Sequence, residues 1–550
     1  MQIVNKLSGC ILKFLVIVLL CETNLLNGQA LTYSYFYRVY LKDKGSNGAI
    51  SYPPGNILSP RAISRRQKAG IPVDYSDIPV NKDYLYQISA AGFTLHCTSK
   101  WMNTALFKTQ SPADINLLLN LPFVSDVKIV RTPGKKRILN DKLFFQLNQA
   151  DFPAFDTPVA MVNGSPLHNS GFDGKNILIA ILDGGFTDAD KISSVQDLRI
   201  RNGIKATYDF VKNNNFVYSF STHGTAVFSV FAGKAQGFIE GTAPGADYLL
   251  LKTEDVESEF PCEEDFWAAG AEFADSSGAD IISSSLGYFT FDDPSLNYKF
   301  SDLDGKTAFV TRAAESAASK GILVVNSAGN ERTTNWKRII FPADGKRVLA
   351  VGAVDGNNLI SDFSSAGPSA DGRIKPDNVA LGVNVPIQTA TNSFFRSNGT
   401  SFSCPVLSGM AACLMQAVPE AKNSDVIEAL HSCADRYNSP DSLYGYGIPD
   451  MVLGLKKLQD LYVKVPDNEI ISFPNPTAAD FELIFREPPE SFRIEIFSIS
   501  GKIISGKEFL DYPGRTILIT ELNDQPQGIY YIRVIKKNDA RVLKIIKIRN

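Results

Sequence analysis

The chain has 550 residues, of which 44% are hydrophobic, 11% aromatic and 21% charged. This composition excludes a largely disordered, collagen-like or coiled-coil chain, and the length exceeds what one hydrophobic core usually organises, so we expect several domains. Lys and Arg total 55 against 58 Asp and Glu, a formal net charge of −3. A chain-wide positive field is therefore excluded, and we expect no nucleic-acid partner.

A long apolar stretch lies near the N-terminus, at residues 14–21 (FLVIVLLC). It is too short to span a bilayer as a helix, and small or polar residues follow it at 27–30. We interpret residues 1–30 as a signal peptide. Two alternatives are an uncleaved membrane anchor and lipidation at Cys21. Lipidation is disfavoured because Leu20 occupies the place where a small residue is normally needed.

Seven cysteines are present, and two of them belong to the predicted signal peptide. The other five show no Cys-x-x-Cys spacing; they are Cys97, Cys262, Cys404, Cys413 and Cys433. Neither a disulfide scaffold nor a structural zinc site is supported, and the pairing of these cysteines stays open.

Residues 31–135 alternate short strand-like and helix-like pieces. Residues 36–41 (FYRVYL) are rich in β-forming residues, Ser59 with the proline after it is a helix start signal, and 111–114 (SPAD) signals a second helix. We predict a small α+β module here. The basic, turn-rich segment 131–137 (RTPGKKR) follows, and it is either a maturation site or a solvated connector that is never cut.

Strands and helices alternate between residues 150 and 463. Residues 177–182 (ILIAIL) and 321–325 (GILVV) are continuous apolar runs, typical of central parallel strands covered on both faces, and a helical pattern at 307–319 lies between them. We predict an α/β domain with a parallel sheet and helices on both faces. Its functional site should lie at the carboxyl ends of the strands.

The last part of the chain, residues 466–550, is predicted to be all β. Residues 481–485, 492–497 and 529–535 are strand candidates, and turns are expected between them, for instance at 500–502 (SGK). A compact β-sandwich fits this pattern.

Two segments of the α/β domain place an acid and a base where the predicted backbone would present them. Asp183 ends a buried strand and two glycines follow it, although Asp before Gly is also ordinary turn chemistry. His223, one of only four histidines, begins a helical pattern. Taken alone it could equally be a cap or a packed side chain.

A third segment, 398–410 (NGTSFSCPVLSGM), is more specific. Ser401 lies where a loop enters an apolar helix, so the unpaired N–H groups and partial positive charge of the helix N-terminus would stabilise an oxyanion there. Pro405 is expected in the first helical turn, where its missing N–H costs little. The alternative is that Ser401 is only an N-cap.

The chain resembles the subtilisin-like serine proteases (the subtilase family) in the order of its Asp, His and Ser. The segments 223–225 (HGT) and 399–405 (GTSFSCP) resemble the histidine and serine motifs of that family. The resemblance implies a subtilisin-like fold. It also implies that Ser401 is the nucleophile, that His223 acts first as general base and then as general acid, and that Asp183 orients the imidazole and stabilises the imidazolium.

The same resemblance assigns further residues. It implies that Asn330, in 325–330 (VNSAGN), is the side-chain donor of the oxyanion hole. It also implies that Ser285, Leu286 and Gly287 belong to a strand whose edge binds an extended substrate peptide. No cofactor is required. Members of the family often bind calcium, but no ligand cluster in the sequence is strong enough to assign a site.

The flanking modules fit the same resemblance. Residues 31–135 resemble, by order and size, an inhibitory propeptide that assists folding. Residues 466–550 resemble the C-terminal sorting domain of type IX secretion, through 473–476 (FPNP), 528–531 (GIYY) and 544–548 (KIIKI). This implies the type IX secretion machinery as a partner and a secreted or cell-surface location after passage across an outer membrane. The alternative is a plain β-sandwich that aids binding or stability.

We therefore expect a secreted serine endopeptidase that hydrolyses peptide bonds through an acyl-enzyme on Ser401. Its partner in the active site would be a peptide or protein substrate, and we expect a monomer. The alternative function is a catalytically silent, subtilase-like module that binds peptides or adheres at the cell surface, because a sheet edge can hold a peptide without cutting it.

Overall fold

The computed structural model describes residues 35–133, 148–149, 157–462 and 470–548, except positions 50–51, 390–391, 474, 479, 488, 490, 511, 513 and 538. The predicted signal peptide lies outside the described residues, as does the 134–137 part of the basic segment. In the described part of the chain no helix is both long and apolar enough to cross a membrane.

The N-terminal module (residues 35–131) is a four-stranded antiparallel sheet with three helices. Its elements in chain order are β1 (Tyr35–Leu41), α1 (Pro60–Ala69), α2 (Lys82–Ala90), β2 (Thr94–Ser99), β3 (Thr104–Thr109), α3 (Asn116–Leu119) and β4 (Val124–Arg131). The strand order is β2-β3-β1-β4. Ser59 caps α1, as predicted, by accepting the N–H of Ala62 at 3.2 Å. The helix predicted from 111–114 begins later, at Asn116, and is only four residues long.

The central domain (residues 157–462) contains one seven-stranded parallel sheet and short additional strands. The strands in chain order, preceded by the two-residue β5 (Asn148–Gln149), are β6 (Leu178–Asp183), β7 (Ile204–Asp209), β8 (Lys234–Ala235), β9 (Ile239–Glu240), β10 (Asp247–Lys252), β11 (Ile281–Ser284), β12 (Leu323–Ser327), β13 (Val348–Val354), β14 (Asn378–Leu381), β15 (Val385–Gln388) and β16 (Phe394–Ser397). The main sheet has the order β14-β13-β12-β11-β6-β10-β7, and every pair in it is parallel.

Helices cover both faces of this sheet. They are α4 (Pro158–Met161), α5 (Ser165–Asn169), α6 (Gln196–Ile200), α7 (His223–Ala232), α8 (Cys262–Ser277), α9 (Phe309–Ser319), α10 (Thr400–Ala417), α11 (Asn423–Ser432) and α12 (Met451–Tyr462). Alternate residues of β6 enter different cores: Ile179 and Ile181 pack in the cluster of α7 and α10, and Ala180 and Leu182 in the cluster of α8 and α9. This two-sided burial explains why the strand is a continuous apolar run.

The C-terminal module (residues 470–548) consists of two antiparallel sheets around one core. Its strands are β17 (Ile470–Phe473), β18 (Phe481–Phe485), β19 (Ser491–Ser498), β20 (Ile503–Leu510), β21 (Thr516–Ile519), β22 (Gly528–Lys536) and β23 (Asp539–Lys547). The sheet orders are β17-β18-β21 and β20-β19-β22-β23. Apolar residues of both sheets, such as Leu483, Ile496 and Ile532, form the shared core. The predicted sandwich is therefore confirmed.

The N-terminal module lies along α8 of the central domain. Arg38 of β1 donates to the carboxylate of Asp265 at 2.7 and 2.9 Å near the start of this helix. The end of β2 lies over the helix further along, where Ser99 donates to Glu272 at 2.6 Å. Arg66 of α1 donates to Asp275 at 2.6 Å near its end. The module therefore contacts α8 over nearly its whole length.

Candidate active site

Asp183 and His223 meet at the carboxyl edge of the sheet. Asp183 is the last residue of β6 and fully buried, and its carboxylate accepts the N–H of Gly184 at 2.7 Å. His223 is the first residue of α7, and its Nδ1 lies 2.9 and 3.0 Å from the two carboxylate oxygens of Asp183. An ionised carboxylate only accepts hydrogen bonds, so Nδ1–H donates and Nε2 becomes the basic nitrogen of the ring.

Glycines allow the two segments to approach this closely. A Cβ on Gly224 would lie 2.4 Å from the carbonyl oxygen of Gly185, and a Cβ on Gly185 would lie 2.5 Å from the carbonyl oxygen of Ser219. The backbone N–H of His223 donates to the hydroxyl of Ser221 at 3.1 Å, which fixes the start of α7. The glycines after Asp183 and His223 are thus required by backbone packing as well as by turn geometry.

Ser401 is the second residue of α10 and is 8% exposed. The residue that precedes the helix is Gly399, so Ser401 lies inside the helix and the N-cap alternative is wrong. The N–H groups of the first turn have no acceptor within the helix and direct partial positive charge toward this point. The ring centroid of Phe402, the next residue, is 6.1 Å from that of His223. The starts of α10 and α7 therefore adjoin each other.

Pro405 lies in the second turn of α10, five residues after the helix begins, and not in the first turn as predicted. In this position its missing N–H deprives the carbonyl of Ser401 of its helical donor. The hydroxyl of Ser285 donates to that carbonyl instead, at 2.9 Å. The proline is tolerated because a side chain from the end of β11 replaces the lost hydrogen bond.

Asn330 lies beside the start of the same helix. Its Oδ1 accepts two hydrogen bonds from Thr400, one from the backbone N–H and one from the hydroxyl, both at 2.9 Å. Because Oδ1 faces Thr400, the Nδ2 of the same amide points away from Thr400. A Cβ built on Gly399 would lie 3.7 Å from this Nδ2. Sequence reasoning misses this role of Thr400, although a hydroxyl residue between Gly399 and Ser401 is a signal for one.

Ser285, Leu286 and Gly287 follow the end of β11. β11 lies between β12 and β6, so both of its edges pair with neighbouring strands. Only the residues after Ser284 extend beyond the sheet. The Leu286 side chain is buried, and its carbonyl accepts from Asn326 at 3.0 Å. A Cβ on Gly287 would lie 2.1 Å from Ile340. The peptide-binding role of these three residues stays a prediction.

Three carboxylates, those of Glu254, Glu259 and Glu263, offer oxygens that lie within 4.8 Å of one another. Such a cluster is a candidate calcium site. Both oxygens of Glu263 already accept backbone N–H groups, at 2.8 and 3.1 Å, and Glu254 accepts the hydroxyl of Tyr288 at 2.9 Å. Calcium takes six to eight oxygen ligands, so this donor set fits it poorly.

Comparison with known proteins gives the family of the central domain. A model described as "Subtilase family" matches residues 174–447. Subtilisin E of Bacillus subtilis (strain 168) is 30% identical over 293 residues, which cover 53% of this chain and 68% of that protein. Subtilisin of Bacillus pumilus is 30% identical over 293 residues, which cover 53% of this chain and 94% of that protein. The chain belongs to the subtilase family. It is therefore a serine-type endopeptidase with a subtilisin-like α/β fold.

The regions that flank the subtilase domain also match known models. Residues 36–142 match a "Peptidase S8 propeptide domain, Bacteroidota", and residues 472–548 match a "Secretion system C-terminal sorting domain". These matches support a secreted protease, a protein substrate, the type IX secretion machinery as a partner and an extracellular or cell-surface location.

Proposed function

We propose that this subtilase hydrolyses peptide bonds through an acyl-enzyme on Ser401, with His223 and Asp183 completing a catalytic triad. The observation that carries the proposal is the pair of contacts at 2.9 and 3.0 Å between the imidazole Nδ1 of His223 and the buried carboxylate of Asp183. Ser401 belongs to the first turn of α10, and the ring of the next residue, Phe402, lies 6.1 Å from that of His223, centroid to centroid. A carboxylate that holds an imidazole, with a serine hydroxyl at an adjoining helix start, suits acyl transfer.

In the first half-reaction the Ser401 hydroxyl oxygen attacks the scissile carbonyl carbon, and its proton passes to His223 Nε2. The tetrahedral oxyanion accepts a hydrogen bond from Nδ2 of Asn330, whose orientation Thr400 fixes. Asp183 stays ionised and stabilises the imidazolium. The C–N bond then breaks, His223 returns the proton to the leaving amine, and an ester on Ser401 remains.

In the second half-reaction a water attacks the ester carbonyl, and His223 accepts the proton of that water. The C–O bond to Ser401 breaks, the serine oxygen recovers the proton from His223, and the carboxylic acid product leaves. No cofactor enters either step, and one chain supplies every group, so we propose that a monomer suffices. The N-terminal module would restrain this activity before export.

The experiment is labelling of the secreted full-length protein with a fluorophosphonate probe, which reacts with an activated serine. The intact chain should be labelled and Ser401→Ala should not. Asp183→Asn should lower kcat by about 10⁴-fold, because it presents the wrong imidazole tautomer. Asn330→Ala should lower it by about 10²- to 10³-fold while labelling persists slowly. A correctly folded mature protein, freed of the N-terminal module, that neither labels nor cleaves casein would identify the silent peptide-binding module instead.

A further inference from the structure

A cavity of about 480 Å³ lies between the central domain and the C-terminal module. One wall is the end of α10 with the residues that follow it, from Gln416 to Glu420, and the other is the sheet β17-β18-β21. Small-molecule sites in proteins have volumes of about 300–1,000 Å³, so the cavity is large enough for an organic ligand. Ser401 lies at the opposite end of α10, about 24 Å away along the helix.

The wall formed by the C-terminal module is aliphatic but contains one carboxyl group. Alternate residues of β18 enter the core of the sandwich, so Glu482 and Ile484, which lie between them, project from the opposite face toward the cavity. The neighbouring strands add Ile471, which pairs with Ile484, and Leu518, which pairs with Glu482. The carboxyl of Glu482 is thus set among aliphatic side chains.

Two carboxyl groups of the lining, those of Glu420 and Glu482, have no hydrogen-bond donor and no ion-pair partner within 4 Å among the residues that the structure describes. Neighbouring polar side chains are already engaged. Lys175 and Asp480 pair with each other at 3.1 Å, and both ends of the Gln416 amide bind backbone groups at distances of 2.7 to 3.0 Å. The two glutamates are therefore the groups that are available to a ligand.

The electrostatics of the cavity favour a positive charge. Burial, with a further contribution from the charge of Glu420, raises the pKa of Glu482 to about 8, so the two carboxyls act on each other without a compensating cation. The C-terminal end of α10 also meets the cavity, and its carbonyls without helical donors carry partial negative charge. The positive charge of Lys175 is balanced by Asp480.

We propose that this cavity binds an alkylammonium ion, with its charge between Glu420 and Glu482 and its carbon chain against Ile484 and Leu518. Such a ligand contacts the central domain and the C-terminal module together, so its binding stabilises their docked arrangement. A free amine and a lysine side chain of another protein present the same group. Calcium fits less well, because it takes six to eight oxygen ligands and much of this lining is apolar.

The test is calorimetric titration of the full-length Ser401→Ala chain, which stays uncut, with hexylammonium, hexanol and hexanoate. At pH 9 hexylammonium should bind with a Kd of about 1 mM or tighter, and its neutral and anionic analogues at least about tenfold more weakly. Hexylammonium should also slow cleavage by an added protease between the central domain and the C-terminal module by about threefold or more.

Three variants locate the binding. Glu420→Gln and Glu482→Gln should each weaken hexylammonium binding by about tenfold, because each removes one carboxylate. Leu518→Trp fills the cavity and leaves both carboxyls, and it should abolish binding. The matched control is Glu508→Gln, an exposed glutamate on β20 in the other sheet of the same module, and it should leave the Kd unchanged. Protease resistance without ligand at pH 7 verifies that each variant is folded and docked.

The pH dependence gives a second readout. The ammonium group pairs with ionised Glu482, so a pKa of about 8 predicts a Kd about tenfold lower at pH 9 than at pH 7. Other charged or titratable groups around the cavity are Glu420, Lys175, Asp480 and Tyr462, with Lys68 of α1, whose charge interacts with that of Glu420. Glu482→Gln should remove the tenfold change.

The source of the ammonium group is distinguished by Nα-acetyl-lysine N-methylamide. Binding comparable with that of hexylammonium supports a lysine side chain of another protein as the ligand, and binding of hexylammonium alone supports a free amine.

Four results would overturn the proposal. They are absence of hexylammonium binding, equal binding of hexanol, stronger binding of hexanoate, and a Kd for hexylammonium that neither Glu482→Gln nor Leu518→Trp changes. None of them bears on the proposed peptidase, because the chain that is titrated lacks the Ser401 hydroxyl.

Discussion

The N-terminal and C-terminal modules contact the central domain in different ways. The N-terminal contact buries several ion pairs along α8, among them Arg38 with Asp265 and Arg66 with Asp275, all four side chains being at most 4% exposed. The guanidinium carbon of Arg38 also lies 3.7 Å from the ring centroid of Phe309. Each of these charges has lost its water and depends on a partner from the other module.

The C-terminal contact relies on fewer polar groups, centred on α12. Gln459 donates to Thr516 at 2.6 Å, and Arg515 contacts Asp460 at 2.7 Å, although Asp460 is 54% exposed. Beside this contact is a cavity of about 480 Å³, lined by residues of both parts that include Glu420 and Glu482.

This difference has a thermodynamic consequence. A contact made of buried charge pairs is specific, but losing one partner leaves an uncompensated charge in a dry environment and is strongly destabilising. The ion pairs Lys175–Asp480 and Arg515–Asp460 of the C-terminal contact each include a partner that is 54% exposed, so losing one of these charges should cost little. The N-terminal module should therefore detach sharply when its pairing is disturbed, and the C-terminal module only gradually.

The largest effect is expected from Asp275→Asn, made in the Ser401→Ala background so that the chain stays uncut. Asp275 is fully buried and pairs with both Arg65 and Arg66, so its loss should destabilise the docked N-terminal module by about 3–5 kcal/mol. The midpoint of the first transition in urea unfolding measures this. Asp480→Asn, which removes the half-exposed pair with Lys175 at the C-terminal contact, should cost less than about 1 kcal/mol. Equal shifts would refute the distinction.

A smaller effect is expected from acidification through His96. Its Nε2–H donates to the carbonyl of Phe210 at 2.9 Å, its Nδ1 is buried without a partner among the described residues, and burial lowers its pKa to about 4. The unfolded pKa is about 6.5, so the folded form prefers neutral imidazole. Its stabilisation is complete above pH 6.5 and is lost as pH falls toward 4, on the order of 3 kcal/mol in total.

His96→Gln isolates this contribution, because an amide can still donate to Phe210 but does not titrate. The positive charges of Lys108 and Arg131 lower the pKa of His96 further. Burial also raises the pKa of Glu264 and Glu272, so protonation of these carboxyls opposes the loss in acid. The urea midpoint of wild type should therefore fall relative to that of His96→Gln between pH 7 and pH 4.5. A constant difference would contradict the prediction.

Much of the architecture was predictable from the sequence. Two-sided burial makes β6 a continuous apolar run, and this pattern predicts a central parallel strand without knowledge of its neighbours. Asp183 at the end of β6 and His223 at the start of α7 also followed from local patterns. Such features depend on residues close in the chain, where periodicity and end signals operate.

Contacts between distant segments were not predictable in the same way. The helical turn that contains Pro405 could not be predicted. A proline is tolerated there because the hydroxyl of Ser285, more than a hundred residues earlier in the chain, replaces the lost hydrogen bond. The role of Thr400 depends likewise on Asn330, seventy residues away. The cluster of Glu254, Glu259 and Glu263 depends on the segment between β10 and α8 that brings Glu254 toward Glu263. No local sequence pattern encodes these contacts, so each becomes visible only in the three-dimensional structure.

The smallest predicted effect concerns the C-terminal contact at alkaline pH. Burial, with a further contribution from the charge of Glu420, raises the pKa of Glu482 to about 8 from an ordinary value of 4.5. The protonated carboxyl is therefore preferred in the docked state, and its stabilisation is lost as pH rises through 8. Because Glu482 is partly exposed, we expect only about 1 kcal/mol between pH 7 and pH 9.

Glu482→Gln should abolish this alkaline loss, and Glu508→Gln, an exposed glutamate on the outer strand β20, should preserve it. Protease sensitivity of the segment between the central domain and the C-terminal module, measured from pH 7 to pH 9 in the Ser401→Ala chain, reports the change. If wild type and Glu482→Gln lose protection in parallel, the alkaline response arises elsewhere.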